Sequence, residues 1–523
     1  MKHKILSMLG AGLLILTISS CHGENDTLMS YNFQDNLAFR EANNSYAGKF
    51  KVLWDALNQN YALWDYEREN GVDWDAVYDE YLPQFEALDN KETVTDSELE
   101  ALLTKLVAPL HDGHMSVELR NHKTNKIVDA EPGEIRVTQR PDYESANPEH
   151  LTMKYYLKKE NGEIVFDEEG NPDYMEADTR LNNLLTVFKY TDRQGLQWIN
   201  DSIAVLEQLT LPTADQVYML RTLKELKGAV LNLTAKLDDI KEFNSLANRY
   251  AYLSIPGFTP IDTRFDDYGI AVRSALMKGN IAYFGFSNFN LTAYVSEDAK
   301  DNYFPNADDQ TLALVQHVAN VWNHWHQNIQ RLHNNGQLGG VIIDLRCNGG
   351  GFQSDYSYVL GSLLPAGDFT FGKVRFKRGT GRLDYSPVLP LSVQAMNTEH
   401  AVVTAPIVVL TNCRSISMAE VTALSAKVLQ NGRVIGKHSW GGLCGLIDNS
   451  QSSYNYSGHI GIKGETPVYV YLPTEAVMTS DGEFLEGVGI TPDIDVDLDL
   501  TQIKATGKDT QLDRALQYIR NGN

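Results

Sequence analysis

One serine in this chain has the surroundings that a nucleophile needs. Ser417 follows the apolar run 407–410 through a short polar loop, and Val421 and Leu424 after it have the spacing of one helix face. At a strand-to-helix junction the first backbone amides lack partners within the helix, and the helix dipole favours negative charge. Attack by a serine hydroxyl creates an oxyanion, so this position permits acyl transfer. Alternatively, Ser415 or Ser417 could act only as a helix N-cap.

A second loop could supply further amides to the same reaction. It follows the apolar run 341–343, extends from Asp344 to Gly351 and ends in three consecutive glycines. Because glycine has no side chain, the backbone here could approach an oxyanion closely. A flexible turn is the alternative interpretation.

The elements that must position these loops are indicated by short apolar runs. One run precedes each loop, and a third lies at 281–284. Such runs between helix-like stretches are typical of buried strands in an α/β sheet that helices cover on both faces. We therefore predict a catalytic core over 278–500, followed by a C-terminal helix within 501–523.

The segment 45–124 is predicted to be an N-terminal helical domain. Apolar residues from Phe50 to Trp64 form one stripe at three- and four-residue spacing. Asp96 is a suitable N-cap for a later helix, which Pro109 should end.

Several motifs, in order along the chain, carry a family resemblance. They are Gly71 to Trp74, Leu110-x-Asp112-Gly113-His114, Asp344-Leu345-Arg346-x-Asn348-x-Gly350-Gly351, Ser417-x-x-Glu420, Gly436 to Gly442, and Gly487 to Asp493. Together they resemble the tail-specific (C-terminal-processing) peptidases, a family that also holds the tricorn protease core and the retinoid-binding repeats of the eye. The resemblance spans 45–120 and 278–500. It implies a mixed-sheet core of crotonase-like ββα units.

The resemblance implies a nucleophile and an oxyanion hole. Ser417 occupies the nucleophile position ahead of Ser415, because Ser417 is the serine three residues before Glu420. The amide of Met418 would be one oxyanion donor. A glycine amide of the preceding loop would be the other, and Gly350 is favoured.

Members of this family differ in the residue that acts as the general base. Tail-specific members carry a lysine in a turn after the nucleophile helix, but the corresponding residue here is Gly442, which cannot accept a proton. Tricorn-like members use a histidine from the N-terminal segment, and His114 falls at that position. A neutral imidazole is a competent base near pH 7. His438 is the second candidate.

Support for the histidine is less clear from the motifs. Glu486 matches the glutamate that supports the histidine through a hydroxyl in tricorn-like enzymes. In those enzymes a serine directly precedes the histidine, whereas this chain has Gly113. The link from Glu486 to His114 therefore stays open, with Asp112 or Ser116 as alternatives.

The middle segment, 125–277, has the weakest pattern. Many tail-specific members carry a PDZ domain that captures substrate C-termini through a Gly-Leu-Gly-Phe-like loop. No such loop is found between 125 and 275. We predict an α+β insertion, either a divergent PDZ-like fold or a helical insertion, and the sequence does not support a preference for C-terminal residues.

The first residues predict export and a lipid anchor. A basic start is followed by the apolar run 5–18 and then by small residues before Cys21. The run is too short to span a bilayer and is typical of a signal peptide, while the small residues resemble a bacterial lipobox. We predict a lipoprotein signal peptide over 1–21, a lipid on Cys21, a polar tether over 22–44 and a place on the bacterial outer membrane. An ordinary signal peptide that contains a cysteine is the alternative.

Composition limits the partners. The formal net charge of −23 disfavours nucleic acid and broad adhesion to anionic membranes. No later segment is long and apolar enough to span a bilayer, so membrane contact is expected through the lipid alone. Three cysteines follow Cys21 with no zinc-binding spacing. Their disulfide state and the oligomeric state are left open. The serine-peptidase mechanism that the resemblance implies requires neither a metal nor another cofactor.

The function that these residues predict is a serine-type endopeptidase. It would cleave extracytoplasmic peptides or proteins through an acyl-enzyme on Ser417. The alternative is a lipoprotein that keeps the fold, has lost hydrolysis and binds a peptide or small ligand. The retinoid-binding relatives show that the fold can serve such a role.

Overall fold

The computed structural model describes most of the chain outside its first 41 residues and its middle. The described residues are 42–146, 193–209, 272–296 except 278, 302–395 except 306, 308 and 380, 402–445, 459–502 and 509–522, with short pieces between 155 and 227. The predicted signal peptide and Cys21 lie outside this part. Of the helices in it, none has the length and apolarity needed to cross a bilayer.

The helices and strands of the described residues are as follows. The α-helices are α1 Tyr46–Asn60, α2 Trp64–Glu69, α3 Trp74–Asp89, α4 Asp96–Val107, α5 Pro132–Val137, α6 Arg193–Glu207, α7 Thr292–Val295, α8 Asp309–Asn334, α9 Met418–Val428 and α10 Thr510–Asn521. The strands are β1 Ser116–Asn121, β2 Lys126–Ala130, β3 Tyr155–Leu157, β4 Lys159–Glu160, β5 Glu163–Ile164, β6 Tyr174–Glu176, β7 Val272–Met277, β8 Ile281–Phe286, β9 Gly340–Asp344, β10 Gly367–Phe376, β11 Leu389–Ala395, β12 Ile407–Thr411, β13 Gly432–Gly436, β14 His459–Ile460, β15 Val468–Tyr471, β16 Glu475–Thr479 and β17 Ile494–Asp495.

The described residues form two compact units. Unit 1 takes in the described residues up to Arg140, within Thr370–Leu391 and within Gly441–Gly489. Unit 2 takes in the described residues within Pro141–Phe369, within Ser392–Trp440 and from Ile490 onward.

Unit 2 is built on a mixed six-stranded sheet in the order β17-β13-β12-β9-β8-β7. All pairs are parallel except β7 with β8. The predicted mixed-sheet α/β fold is therefore confirmed, and so are the three predicted core strands. Because β9 and β12 are parallel neighbours with Leu410 beside Asp344, both candidate loops leave the same edge of the sheet.

Helices cover both faces of this sheet, as the continuous apolar runs predict. Tyr283 of β8 lies in a buried cluster with Leu512 and Leu516 of α10. The next residue, Phe284, points to the other face and stacks on Trp325 of α8 with ring centroids 4.9 Å apart. Strands β9 and β12, which end in the candidate loops, are buried along their whole length.

Unit 1 combines the N-terminal helices with strands from later in the chain. Strand β1 lies between β2 and β15 in an antiparallel sheet of order β14-β15-β1-β2. One apolar core joins α1, α3 and α4 to Val468, Val470 and Leu472. This grouping differs from the contiguous helical domain predicted over 45–124, because β1 is completed by a strand from beyond residue 460.

Local signals in unit 1 agree with the sequence in part. Asp73 caps α3 by accepting from the amides of residues 75 and 76, and α4 ends two residues before Pro109. The N-cap of α4 is Thr95, not Asp96, because the Thr95 hydroxyl accepts from the amide of Glu98. The apolar stripe from Phe50 to Trp64 is divided between two helices, since α1 ends at Asn60.

Candidate active site

The turn between β12 and α9 holds Ser417 in an uncommon backbone conformation. Ser417 is the N-cap of α9, with φ 60° and ψ −120°. A positive φ is rare outside glycine and costs about 1–3 kcal/mol, so the surrounding contacts must hold it in place. Its side chain is partly exposed. Strained, accessible residues of this kind concentrate at functional sites.

The neighbouring serine has a structural role. Ser415 is completely buried, its hydroxyl donates to the carbonyl of Leu345 at 2.7 Å, and it accepts from the amide of Asn412 at 3.0 Å. These bonds tie the turn after β12 to the loop after β9. Ser415 is therefore committed to the scaffold, whereas Ser417 is accessible.

Glu420 explains the three-residue spacing from Ser417. One oxygen of the buried Glu420 carboxylate accepts from the amide of Ser417 at 3.2 Å, as an N3 glutamate does for an N-cap residue. The other oxygen accepts from the Ser439 hydroxyl at 2.6 Å, which in turn accepts from the amide of Ile490 at 2.6 Å. Sequence reasoning missed Ser439. The only signal was a polar residue inside the glycine-rich motif.

The glycine loop after β9 approaches the same turn. Gly350 has φ 76°, and a Cβ built on it would lie 2.5 Å from Cβ of Ser417 and 3.1 Å from the backbone nitrogen of Met418. Real Cβ atoms do not approach this closely, so only glycine fits. Ser417, Gly350 and the Met418 amide are therefore brought together within unit 2.

The two amides predicted for an oxyanion hole differ in their partners. The amide of Gly350 donates to Oδ1 of Asn348 at 2.9 Å, and the buried Asn348 donates in turn to the carbonyl of Phe286. Within the part of the chain that the structure describes, the amide of Met418 has no acceptor. In this arrangement Met418 is the available donor, while Gly350 contributes the close backbone approach.

The first residues of the glycine-loop motif are a scaffold. Arg346 is almost fully buried and donates to Asp344 through Nε and Nη2, at 2.9 and 2.7 Å. Asp344 also accepts from the hydroxyl of Tyr283, and Arg346 reaches Asp509 at the start of α10. The motif thus links the central strands to the C-terminal helix.

The predicted base lies in unit 1, in the turn before β1. Asp112 is completely buried, and its Oδ1 accepts from the amides of His114 and Met115 at 2.8 and 2.9 Å. This turn orients the backbone of His114. Burial lowers the pKa of His114 to about 4, so its imidazole is neutral at pH 7. Burial also raises the pKa of Asp112 above its ordinary value.

Glu486 lies beside the same turn. It is completely buried, and one oxygen accepts from the amide of Gly113 at 2.8 Å. The other oxygen accepts from the amides of Leu443 and Cys444, each at 2.9 Å. Glu486 is therefore anchored mainly by backbone amides, and no hydroxyl is needed to connect it to the turn.

Tight backbone packing accounts for glycine at position 113. A Cβ on Gly113 would lie 2.3 Å from the carbonyl oxygen of Gly441 and 2.5 Å from Cα of Gly442. A serine before the histidine, as in tricorn-like enzymes, does not fit here. The glycine turn at 441–442 is thus in direct contact with the histidine turn, in the same unit.

The remaining predicted residues are placed as follows. Lys437, which precedes the second candidate base His438, forms ion pairs with Asp495 and Asp497. Ser116 begins β1.

Part of the chain is similar to a known protein family. Residues 305–496 match a family model described as Peptidase family S41. No curated protein matches the chain.

Three solved structures illustrate what the chain is similar to. A protein from Parabacteroides merdae ATCC 43184, described as a candidate peptidase, is 15% identical with a TM-score of 0.47, over 92% of this chain and 98% of that chain. Mature CPAF complexed with lactacystin is 13% identical with a TM-score of 0.46, over 92% and 100%. The photosystem II D1 C-terminal processing protease is 17% identical with a TM-score of 0.26, over 44% and 48%.

Proposed function

We propose that this chain is a serine endopeptidase that forms an acyl-enzyme on Ser417, because residues 305–496 match the model of peptidase family S41. One observation carries the proposal. Ser417 is partly exposed, has a positive φ at the start of a helix, and lies against Gly350 and the amide of Met418. A fully buried hydrogen-bonded serine, such as Ser415, could not play this part.

The reaction follows from the chemistry of these groups. Oγ of Ser417 attacks the peptide carbonyl and forms the acyl–oxygen bond, while the hydroxyl proton passes to the base. The carbonyl oxygen becomes an oxyanion, which the Met418 amide and the dipole of α9 stabilise. The base returns the proton to the leaving amine as the C–N bond breaks. Water then hydrolyses the ester and restores Ser417.

His114 is the proposed base. Burial lowers its pKa to about 4, so the imidazole is neutral at pH 7 and one ring nitrogen carries the lone pair that a base needs. The alternative base of the family is absent, since position 442 is a glycine in contact with Gly113. Asp112 and Glu486 hold the turn of His114 through its backbone amides, and their proposed role is to orient it.

The proposed substrates are peptides or proteins outside the cytoplasm. This part of the proposal rests on the N-terminal sequence, in which Cys21 follows a signal-peptide-like run. A lipid on Cys21 would hold the enzyme at the outer membrane of a bacterium.

One observation favours a binding protein as the second candidate. The Gly350 amide is occupied by Asn348, so the hole in this arrangement offers one donor and not two. A chain of this kind could hold a peptide at the Ser417 turn without cleaving it.

A fluorophosphonate probe separates the two candidates, because it labels only a serine that attacks. We expect labelling of the full chain, its loss in Ser417→Ala, and a large decrease in His114→Ala. Ser415→Ala is the matched control and should still be labelled, provided that circular dichroism shows a folded protein. Labelling that survives Ser417→Ala would refute the assignment, and a wild-type chain that is never labelled would favour the binding protein.

A further inference from the structure

Three side chains of unit 1 present ligand atoms to one small space. Asp112, His114 and Glu486 each offer one oxygen or nitrogen, and these atoms all lie within 4.8 Å of one another. Asp112 and Glu486 are completely buried. Asp112 and His114 lie in the turn before β1, Glu486 lies beside it, and no residue of unit 2 takes part.

Two polar atoms of these side chains have no hydrogen bond in the described part of the chain. Oδ2 of Asp112 and Nδ1 of His114 are both buried and without a partner there. Buried polar atoms are normally paired, because desolvation without a partner is unfavourable. Each therefore indicates that another species belongs in the space between them.

The chemistry of the cluster selects among the species that could fill it. All three atoms can act as lone-pair donors when the imidazole carries its proton on Nε2. A water molecule has two protons, so it could satisfy the two unpartnered atoms but would leave Glu486 unengaged. A divalent cation can accept a lone pair from all three at once, and two carboxylates offset its charge.

We propose that this cluster binds a divalent transition-metal ion, with Zn²⁺ as the best match. Zinc accepts imidazole nitrogen and carboxylate oxygen at about 2.0–2.2 Å in sites with three protein ligands. Magnesium and calcium prefer sites made of oxygen alone, so an imidazole disfavours them. The proposal rests on the proposed function in one respect: a metal on His114 removes the base and inhibits acylation of Ser417.

Calorimetric titration of ZnCl₂ into the full chain, purified without a histidine tag, tests the site directly. It is performed on Ser417→Ala so that catalysis plays no part. We expect one zinc ion per chain, and binding weaker by about tenfold or more when Asp112→Asn is added. Asparagine keeps the oxygen that accepts from the two backbone amides, so the turn should persist. Asp89→Asn is the matched control, because Asp89 also accepts backbone amides in unit 1 but lies outside the cluster.

A second variant tests the site in case Asp112→Asn fails to fold, and a labelling experiment tests the link to catalysis. His114→Gln is the second variant, since Nδ1 of His114 has no protein partner to lose in the described residues. It should also weaken zinc binding by about tenfold or more. Zinc should slow fluorophosphonate labelling of the wild-type chain, whereas MgCl₂ should not.

The proposal is overturned if Ser417→Ala binds no zinc, or if the folded Asp112→Asn and His114→Gln variants bind it as tightly as the parent. Magnesium binding of equal strength would also overturn it. These results leave the labelling experiment untouched. A chain that binds zinc but is never labelled would lose the proposed function and keep the metal site.

Discussion

Replacing Gly350 by alanine is the sharpest test of the geometry around Ser417. The new Cβ would lie 2.5 Å from Cβ of Ser417 and 2.9 Å from the carbonyl oxygen of Ile416. One of these contacts is to backbone, so a side-chain rotation cannot relieve both. The chain must move either the glycine loop or the Ser417 turn.

The magnitude follows from two separate costs. An alanine at φ 76° is in the left-handed region, which costs about 1–2 kcal/mol relative to glycine. Forcing a methyl group into a filled space costs about 1–3 kcal/mol more. We therefore expect Gly350→Ala to lower the free energy of unfolding by about 2–5 kcal/mol. Labelling of Ser417 should slow about 100-fold or more, because displacement of the turn removes the alignment of the Met418 amide.

The assay combines urea unfolding with the rate of fluorophosphonate labelling. Gly349→Ala is the matched control, because Gly349 has no positive φ and a Cβ there would meet only Oδ1 of the Asn288 side chain, at 2.8 Å. It should label at a rate much closer to wild type. If Gly350→Ala unfolds and labels like the wild type, the proposed arrangement of the loop and turn is wrong.

Three further predictions concern the scaffold. Gly113→Ser should lower the free energy of unfolding by about 1–3 kcal/mol, because its Cβ collides with the backbone of the 441–442 turn; urea unfolding measures this. Arg346→Met should lower the free energy of unfolding by about 3–5 kcal/mol, because it leaves buried carboxylates unpaired. Lys427→Met breaks a partly exposed ion pair and should lower it by about 1 kcal/mol or less. Equal losses in the two variants would contradict this prediction. Burial raises the pKa of Glu475 to about 7. Protonated Glu475 therefore stabilises the fold, and this contribution is complete below the unfolded pKa and is lost as the pH rises through about 7. In urea unfolding, the free energy of unfolding of the wild type should fall between pH 5 and pH 8, and Glu475→Gln should reduce that fall.

The core strands could be predicted because each is a continuous apolar run, and that pattern has few structural outcomes. Strand β12 and the helix after Ser417 were predictable for this reason, with the spacing to Glu420 as a further local signal. The location of Ser417 at a strand-to-helix turn follows from these neighbours alone. Its φ of 60° does not, since a non-glycine residue in this region is held there by contacts from distant parts of the chain.

Local sequence patterns could not predict which segments of the chain make up unit 1. Strand β1 pairs with β15, and no short-range signal records which distant strand completes a sheet. The N-cap of α4 was misassigned by one residue because Thr95 and Asp96 are both good caps, and only the backbone geometry distinguishes them. The partner of the Gly350 amide, Asn348, was likewise hidden, although an asparagine two residues before a glycine is a typical turn.

Gly113 shows how a departure from a family motif can be explained by packing. The sequence made the link between Glu486 and His114 uncertain because a serine was missing. The structure gives a physical reason for that absence, since a side chain at 113 would collide with the glycine turn that occupies the place of the missing lysine. The carboxylate of Glu486 is held instead by the Gly113 amide and by two amides of the chain after that turn. The glycines at 113 and 442 allow two backbones to touch, and Asp112 and Glu486 offer oxygens within 4.8 Å of a ring nitrogen of His114.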